Sequence, residues 1–171
     1  MLIVMAGLPG SGKSAVAGML GRSLAAPVVS VDPIEAAMWR AGVARSQPTG
    51  LAAYIVAEAV ADGVLAVGRP VIVDAVNAVE PARAQWRSLA DRHGVRAAFI
   101  EVVCPDPAVH RRRLEGRSRG IEGFAEPTWE AVERLRDEFA PWTDQRLVLD
   151  TTADLTSTAA TALEFLARGR D

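Results

Sequence analysis

Cysteine, lysine and histidine are scarce in this sequence of 171 residues, which holds one, one and two of them. With Cys104 alone, no internal disulfide is available, so stability has to come from packing and a reducing compartment is the natural setting. His93 and His110 are too few and too far apart in sequence to suggest a metal site. Excess charge is missing too: the formal net charge of −2 argues against a dedicated nucleic-acid platform. No long uncharged apolar run exists. The most apolar stretch, residues 51–67, carries Glu58 and Asp62 and reads as a buried helix, not a membrane span. The first residues read directly as a strand, with no basic flank or cleavage site, so a cytoplasmic protein without a secretory leader is expected. Internal repeats, low-complexity tracts and linkers are absent. The preference for arginine over lysine reads as coding bias. What remains is ordinary globular composition, half apolar and 23% charged, enough for one α/β domain over residues 1–171 with a full core.

Against that background one stretch stands out. Gly7, Leu8, Pro9, Gly10, Ser11, Gly12, Lys13 and Ser14 fit the pattern of a glycine, four residues, then Gly-Lys-Ser, the Walker A phosphate-binding loop. Glycines permit the tight turn, successive backbone N–H groups point at an anion, and the following helix presents its free amides and positive dipole end from Ala15 onward. Lys13, the only lysine of the chain, would reach the β- and γ-phosphates, and the Ser14 hydroxyl would hold Mg²⁺. The required context is present: an apolar strand precedes the loop and an amphipathic helix follows it.

Strands and helices alternate along the rest. Strands are expected at residues 1–5, 28–31, 71–74, 97–103 and 147–150, and helices at 15–24, 34–41, 51–67, 80–93, 106–116, 127–139 and 159–168. Residues 42–50 and 117–126 read as irregular. This alternation implies a parallel sheet with right-handed crossovers, whose ligands lie at the carboxyl ends of the strands. Four of the five strand ends carry suitable residues: the glycine loop, Asp32, Asp74 and Asp150.

The glycine loop, Val29 to Asp32, Val71 to Asn77, Arg113 to Arg117 and Leu147 to Thr151 together resemble the small P-loop kinases. That group includes adenylate, gluconate and shikimate kinases, chloramphenicol phosphotransferase, and the kinase domains of polynucleotide kinases and zeta toxins. The similarity is greatest to a bacterial branch described as AAA-type or predicted-kinase ATPases. It implies a P-loop NTPase fold with strand order 2-3-1-4-5, helices on both faces, and a short mobile lid at about residues 113–127. It also implies ATP and Mg²⁺ as cofactors and transfer of the γ-phosphoryl group to a hydroxyl of a small-molecule acceptor. ATP is expected over GTP, since no Asn-Lys-x-Asp guanine motif is present.

Each candidate residue has a plain reading beside the functional one. Asp32 is expected to accept the acceptor's proton, or to cap the helix that Pro33 begins. Polynucleotide kinases and zeta toxins carry an arginine three residues after this aspartate; Glu35 stands there here, which counts against a nucleic-acid end. Asp74 matches the Walker B position and would support Mg²⁺ with Ser14, or cap a turn. Asn77 would contact the acceptor or brace its loop. Arg83 and Arg87, four apart on a helix, read as a solvated face, with Arg83 a candidate acceptor contact. Arg113 and Arg117 have the spacing of lid-entrance arginines in adenylate kinase, one near the base and one near the phosphates, with Arg119 a second candidate; the alternatives are a solvated basic face or an RNA-contacting patch. Thr151 is expected beside the adenine through its backbone. Trp39 and Tyr54 flank residues 46–49, expected to form part of the acceptor pocket, while Trp86, Trp129 and Trp142 read as packing residues. A monomer is the default expectation, with no membrane contact and nucleic acid disfavoured. Two other functions stay open: an ATP-hydrolysing switch read by a partner protein, and an RNA 5′-end kinase.

Overall fold

Every strand begins and ends within one residue of its sequence-based limits, because parallel interior strands are apolar on both faces and bounded by turn residues. The computed structural model describes residues 1–152 and 154–168. Its five strands are β1 (Leu2–Ala6), β2 (Val28–Ser30), β3 (Val71–Asp74), β4 (Ala97–Val103) and β5 (Arg146–Asp150). They form one parallel sheet in the order β2-β3-β1-β4-β5. β1 occupies the centre and is buried throughout, with Leu2 opposite both Val71 and Ala97.

Seven helices lie among the described residues: α1 (Lys13–Leu24), α2 (Val31–Arg40), α3 (Thr49–Ala66), α4 (Glu80–Arg92), α5 (Pro107–Gly116), α6 (Trp129–Asp137) and α7 (Leu155–Ala167). The alternation of side chains along β1 divides the core in two. Leu2 and Val4 face α3 and α4 through Ala57, Trp86 and Leu89. Ile3 and Met5 face α1 and α7 through Val16, Leu20 and Leu166. A third, small cluster joins Leu114 of α5 to Trp129 and Val132 of α6, with Leu8 of the glycine loop against it.

Three expectations change, the first being that α2 starts at Val31, three residues before residue 34. α7 starts four residues earlier than residue 159, because Asp154 caps it by accepting from the Ser157 amide, a cap that apolar periodicity alone does not detect. α3 is not a buried helix. Ala53, Ala57, Ala61 and Leu65 form its core stripe, while Leu51, Ile55, Val56, Val60 and Val67 are exposed on its other sides.

Candidate active site

The glycine loop leaves β1 with backbone angles that only glycine accepts easily. Gly7 has φ 140°, and a side chain there would run into the Val102 carbonyl oxygen. Gly12, at φ 96°, is the N-cap of α1 and offers it no capping side chain, nor is there an acid in its first turn. By contrast α5, α6 and α7 are capped by Asp106, Thr128 and Asp154. The head of α1 therefore keeps amides available for an outside anion. The Ala15 amide is engaged by the Gly12 carbonyl at 3.1 Å.

Three side chains hold this loop from behind. The Thr151 hydroxyl donates to the Ser11 carbonyl at 2.6 Å, and Asn77 donates its amide to the Met5 carbonyl at 2.8 Å. His110 places Nε2 2.8 Å from the Pro9 carbonyl oxygen and its ring 3.2 Å from where a Gly10 side chain would begin. Burial pushes the His110 pKa below its ordinary value, and the nearby Arg136, Arg113 and Arg117 push the same way. The ring is thus neutral near pH 7 and acts as an N–H donor to Pro9.

In front of the loop lies a cavity of about 210 Å³ lined by Gly10, Gly12, Lys13, Ser14, Ala15, Arg113, Arg117 and Arg119. Four of these residues are cations and none is an acid. Lys13 is 5% exposed. Arg113 donates to the Thr151 carbonyl and hydroxyl oxygens at 2.8 and 3.1 Å, which sets it at the β5 side of the loop. Arg117 and Arg119 do not share a helix with Arg113, because α5 ends at Gly116 and Arg117 is already extended. They reach the same cavity through a carboxylate: Glu126 pairs with Arg117 at 2.8 Å and with Arg119 at 2.9 Å. Burial lowers the Arg117 pKa. Burial also opposes the Arg119 charge, but its hydrogen bonds to Glu126 and Asp32 outweigh that and raise its pKa.

Beside this anion pocket is a second cavity, about 310 Å³, lined by Lys13, Ser14, Asp32, Asp74 and Arg119 among others. Asp74 is 7% exposed. Its Oδ2 accepts from the Ser30 hydroxyl at 3.2 Å, whereas Oδ1 is buried with no partner. An orphaned carboxylate oxygen next to a serine hydroxyl and a phosphate-sized pocket fits a hydrated Mg²⁺, which takes few protein ligands and completes its shell with water and phosphate oxygens. Asp32 lies in the first turn of α2, not at the end of β2, and its Oδ2 is 2.5 Å from Arg119 Nη1. On its other side Asp32 borders a third cavity of about 450 Å³, apolar apart from Asp32, Glu35, Gln85 and the Tyr54 hydroxyl. A further cavity, about 520 Å³, lies behind the loop under Leu8 and holds none of Lys13, Asp32 or Asp74.

Several expected roles are corrected by these contacts. Asn77 is fully buried at φ 50°, with its amide on Met5 and its carbonyl oxygen taken by Trp86 Nε1 at 2.9 Å, so it braces the loop and does not meet an acceptor. Arg83 is neither solvated nor at the acceptor site. It is fully buried, donates to the carbonyls of Asn77, Ala78, Ala140 and Pro141, and stacks 3.8 Å from the Trp142 ring. Arg87 is tied to Glu80 and Asp144. Trp39 lies away from the Asp32 cavity: it donates to the Thr49 hydroxyl and stacks on Phe124, joining α2 to residues 117–128. The Thr151 side chain is consumed in supporting Ser11. Sequence reasoning missed Glu126, His110 and Ser30. Glu126 follows the arginine-rich run as its only nearby acid besides Glu115 and Glu122, and that charge pattern was the available signal.

The same architecture recurs in solved structures. Kti12 from Chaetomium thermophilum, in complex with ADP-AlF3, superposes with a TM-score of 0.75 at 20% identity, covering all of both chains. The APS kinase CysC of Mycobacterium tuberculosis, in complex with AMPPNP and APS, gives 0.71 at 21% identity over 97% of this chain and 96% of that one. A gluconokinase from Sinorhizobium meliloti 1021 gives 0.67 at 19% identity over 97% and 91%. No curated protein shows significant similarity to the sequence. Residues 2–142 match the family model AAA_33, an AAA domain, and the chain therefore belongs to that family, with the P-loop fold that the small kinases share.

Proposed function

We propose that this protein is an ATP- and Mg²⁺-dependent phosphotransferase that moves the γ-phosphoryl group to a hydroxyl of a small-molecule acceptor. One observation carries the reading: Asp32 is the common wall of the cavity holding Lys13, Ser14 and Asp74 and of the separate apolar cavity beside α3. A carboxylate at that boundary can accept a hydroxyl proton on one side while the phosphoryl group lies on the other. The loop amides and Lys13 would take the β- and γ-phosphates, with Arg113 toward the base. Arg117 and Arg119, braced by Glu126, would meet the charge that develops on the equatorial oxygens. In the structure Arg119 holds Asp32; a triphosphate offers it a stronger anionic partner, and its departure would free Asp32 to act as base. Ser14 and Asp74 would hold Mg²⁺, which when bound neutralises charge on the bridged phosphate oxygens. We place the reaction in the cytoplasm on the strength of the single, buried Cys104.

ADP release measured against an acceptor panel tests this. Asp32→Asn is expected to lower kcat by about 10²–10⁴-fold while ATP still binds. Unchanged turnover in that variant would remove the proposed base.

A second reading is favoured by the exposed apolar side of α3: a nucleotide-operated switch whose state a partner protein reads. Slow ATP hydrolysis without any acceptor, together with partner binding that depends on the nucleotide, would favour it.

A further inference from the structure

We infer that the acceptor is an amino alcohol: a largely apolar molecule whose hydroxyl meets Asp32 and whose ammonium group meets Glu35. This inference rests on the phosphotransferase reading above. The 450 Å³ cavity is walled by Val31, Leu51, Tyr54, Val79 and Leu135, and its only ionisable groups besides the tyrosine are the two carboxylates. No lysine or arginine lines it. The nearest buried cation on the α4 side, Arg83, has its donors on four main-chain carbonyls. An acceptor carrying phosphate, sulfate or carboxylate would therefore enter a partly buried space facing two carboxylates, and the nearest cation, Arg119, lies on the far side of Asp32 in the neighbouring cavity, already paired with Asp32 and Glu126.

The neutral groups point the same way. Gln85 commits its amide nitrogen to the Tyr54 carbonyl at 3.0 Å, which leaves its side-chain oxygen as an acceptor. Glu35 Oε1 takes the Thr49 hydroxyl at 2.7 Å, and Thr49 is itself held by Trp39, so the carboxylate is fixed at the wall with its second oxygen unclaimed among the described residues. The Tyr54 hydroxyl accepts from the main-chain N–H of Asn77, and burial together with Asp32 and Asp74 pushes its pKa up to about 12, so it stays neutral. Acceptors outnumber donors, and a donor-rich ligand complements them. Asp32 and Glu35 stand three apart on α2, which puts their Cβ atoms roughly 5–6 Å apart. A hydroxyl and an amine separated by two to four atoms span that distance.

In the transfer step the acceptor oxygen bonds to the γ-phosphorus as the bond to the β–γ bridging oxygen breaks. The electron pair leaves with ADP, the hydroxyl proton passes to Asp32, and the products are a phosphate monoester and ADP.

The test uses matched triplets sharing one apolar body: 2-amino-3-phenylpropan-1-ol, 3-phenylpropane-1,2-diol and 3-phenyllactate, with aliphatic and indole triplets of the same design. Binding is measured by calorimetry on the full chain with AMPPNP and Mg²⁺, and ADP release is followed with ATP. The amine is expected to bind at least about tenfold more tightly than the neutral diol, and the carboxylate not to bind. Glu35→Gln is expected to remove the preference for amine over diol, and Glu35→Asp to restore part of it. No amine preference in any triplet, or a preference that survives Glu35→Gln, overturns the inference. The two readings fail separately. Transfer to carboxylates alone leaves a phosphotransferase with another acceptor class, whereas amine-selective binding without any ADP release removes the phosphotransferase and leaves the cation-selective cavity.

Discussion

Lys13 is a nearly buried ammonium with three arginines around the same cavity and no acid lining it. Without nucleotide, that arrangement costs stability, because four like charges crowd one small cavity. Lys13→Met should therefore raise the nucleotide-free melting temperature by a few degrees, about 2–4 °C per kcal/mol in a chain of this size. The same variant should lose about 10²–10³-fold in phosphoryl transfer, as when one oxyanion donor is removed. Calorimetric melts and initial rates check both halves. His110 acts with the opposite charge logic. Its folded pKa lies below the unfolded value of about 6.5, so protonation favours the unfolded chain. The stability it contributes is fully present above pH 6.5 and falls away as the pH drops below that. Urea titrations from pH 7.5 to 5 should show a decline that is shallower in His110→Gln.

At the scale of elements, α3 separates what the sequence discloses from what only packing discloses. Residues 51–67 are legible as a helix, and their apolar character reads as burial. Yet the fully packed part is the Ala53-Ala57-Ala61-Leu65 stripe, with Tyr54 and Val64 partly buried beside it; small residues in the stripe let the helix approach closely. Ala57→Leu should destabilise by about 1–3 kcal/mol through overpacking, and Ile55→Lys, at an exposed position, by no more than about 0.5 kcal/mol. Denaturant midpoints at constant slope distinguish the two. The glycine loop was legible because its whole signal lies in eight consecutive residues, and the strand order followed from the family resemblance. Arg83 was misread because arginine is usually solvated, and the carbonyls that bury it come partly from residues 140 and 141, more than fifty positions away. Glu126 escaped notice for a similar reason: residues 117–128 have no periodicity, so nothing local says which arginine its carboxylate will face.

For the molecule as a whole, the sheet order puts the glycine loop at the centre, with the side beyond β4 and the side beyond β3 as the two flanks that the proposed function assigns to base and acceptor. Ligand binding at such a hub stabilises every layer packed on it. ATP with Mg²⁺ at a hundred times its Kd should add about 2.7 kcal/mol, seen as a rise of roughly 5–10 °C in melting temperature. Mg²⁺ alone should produce little of that rise, since Ser14 and Asp74 offer it only two side chains.

The Thr151 hydroxyl and the Ser11 carbonyl are separated by 140 residues along the chain. A cut anywhere between residues 14 and 151 leaves the glycine motif intact in sequence yet severs it from the peg beneath Ser11. Loosening the end of β5 should therefore weaken the loop's hold on an anion although no residue of the loop itself has changed.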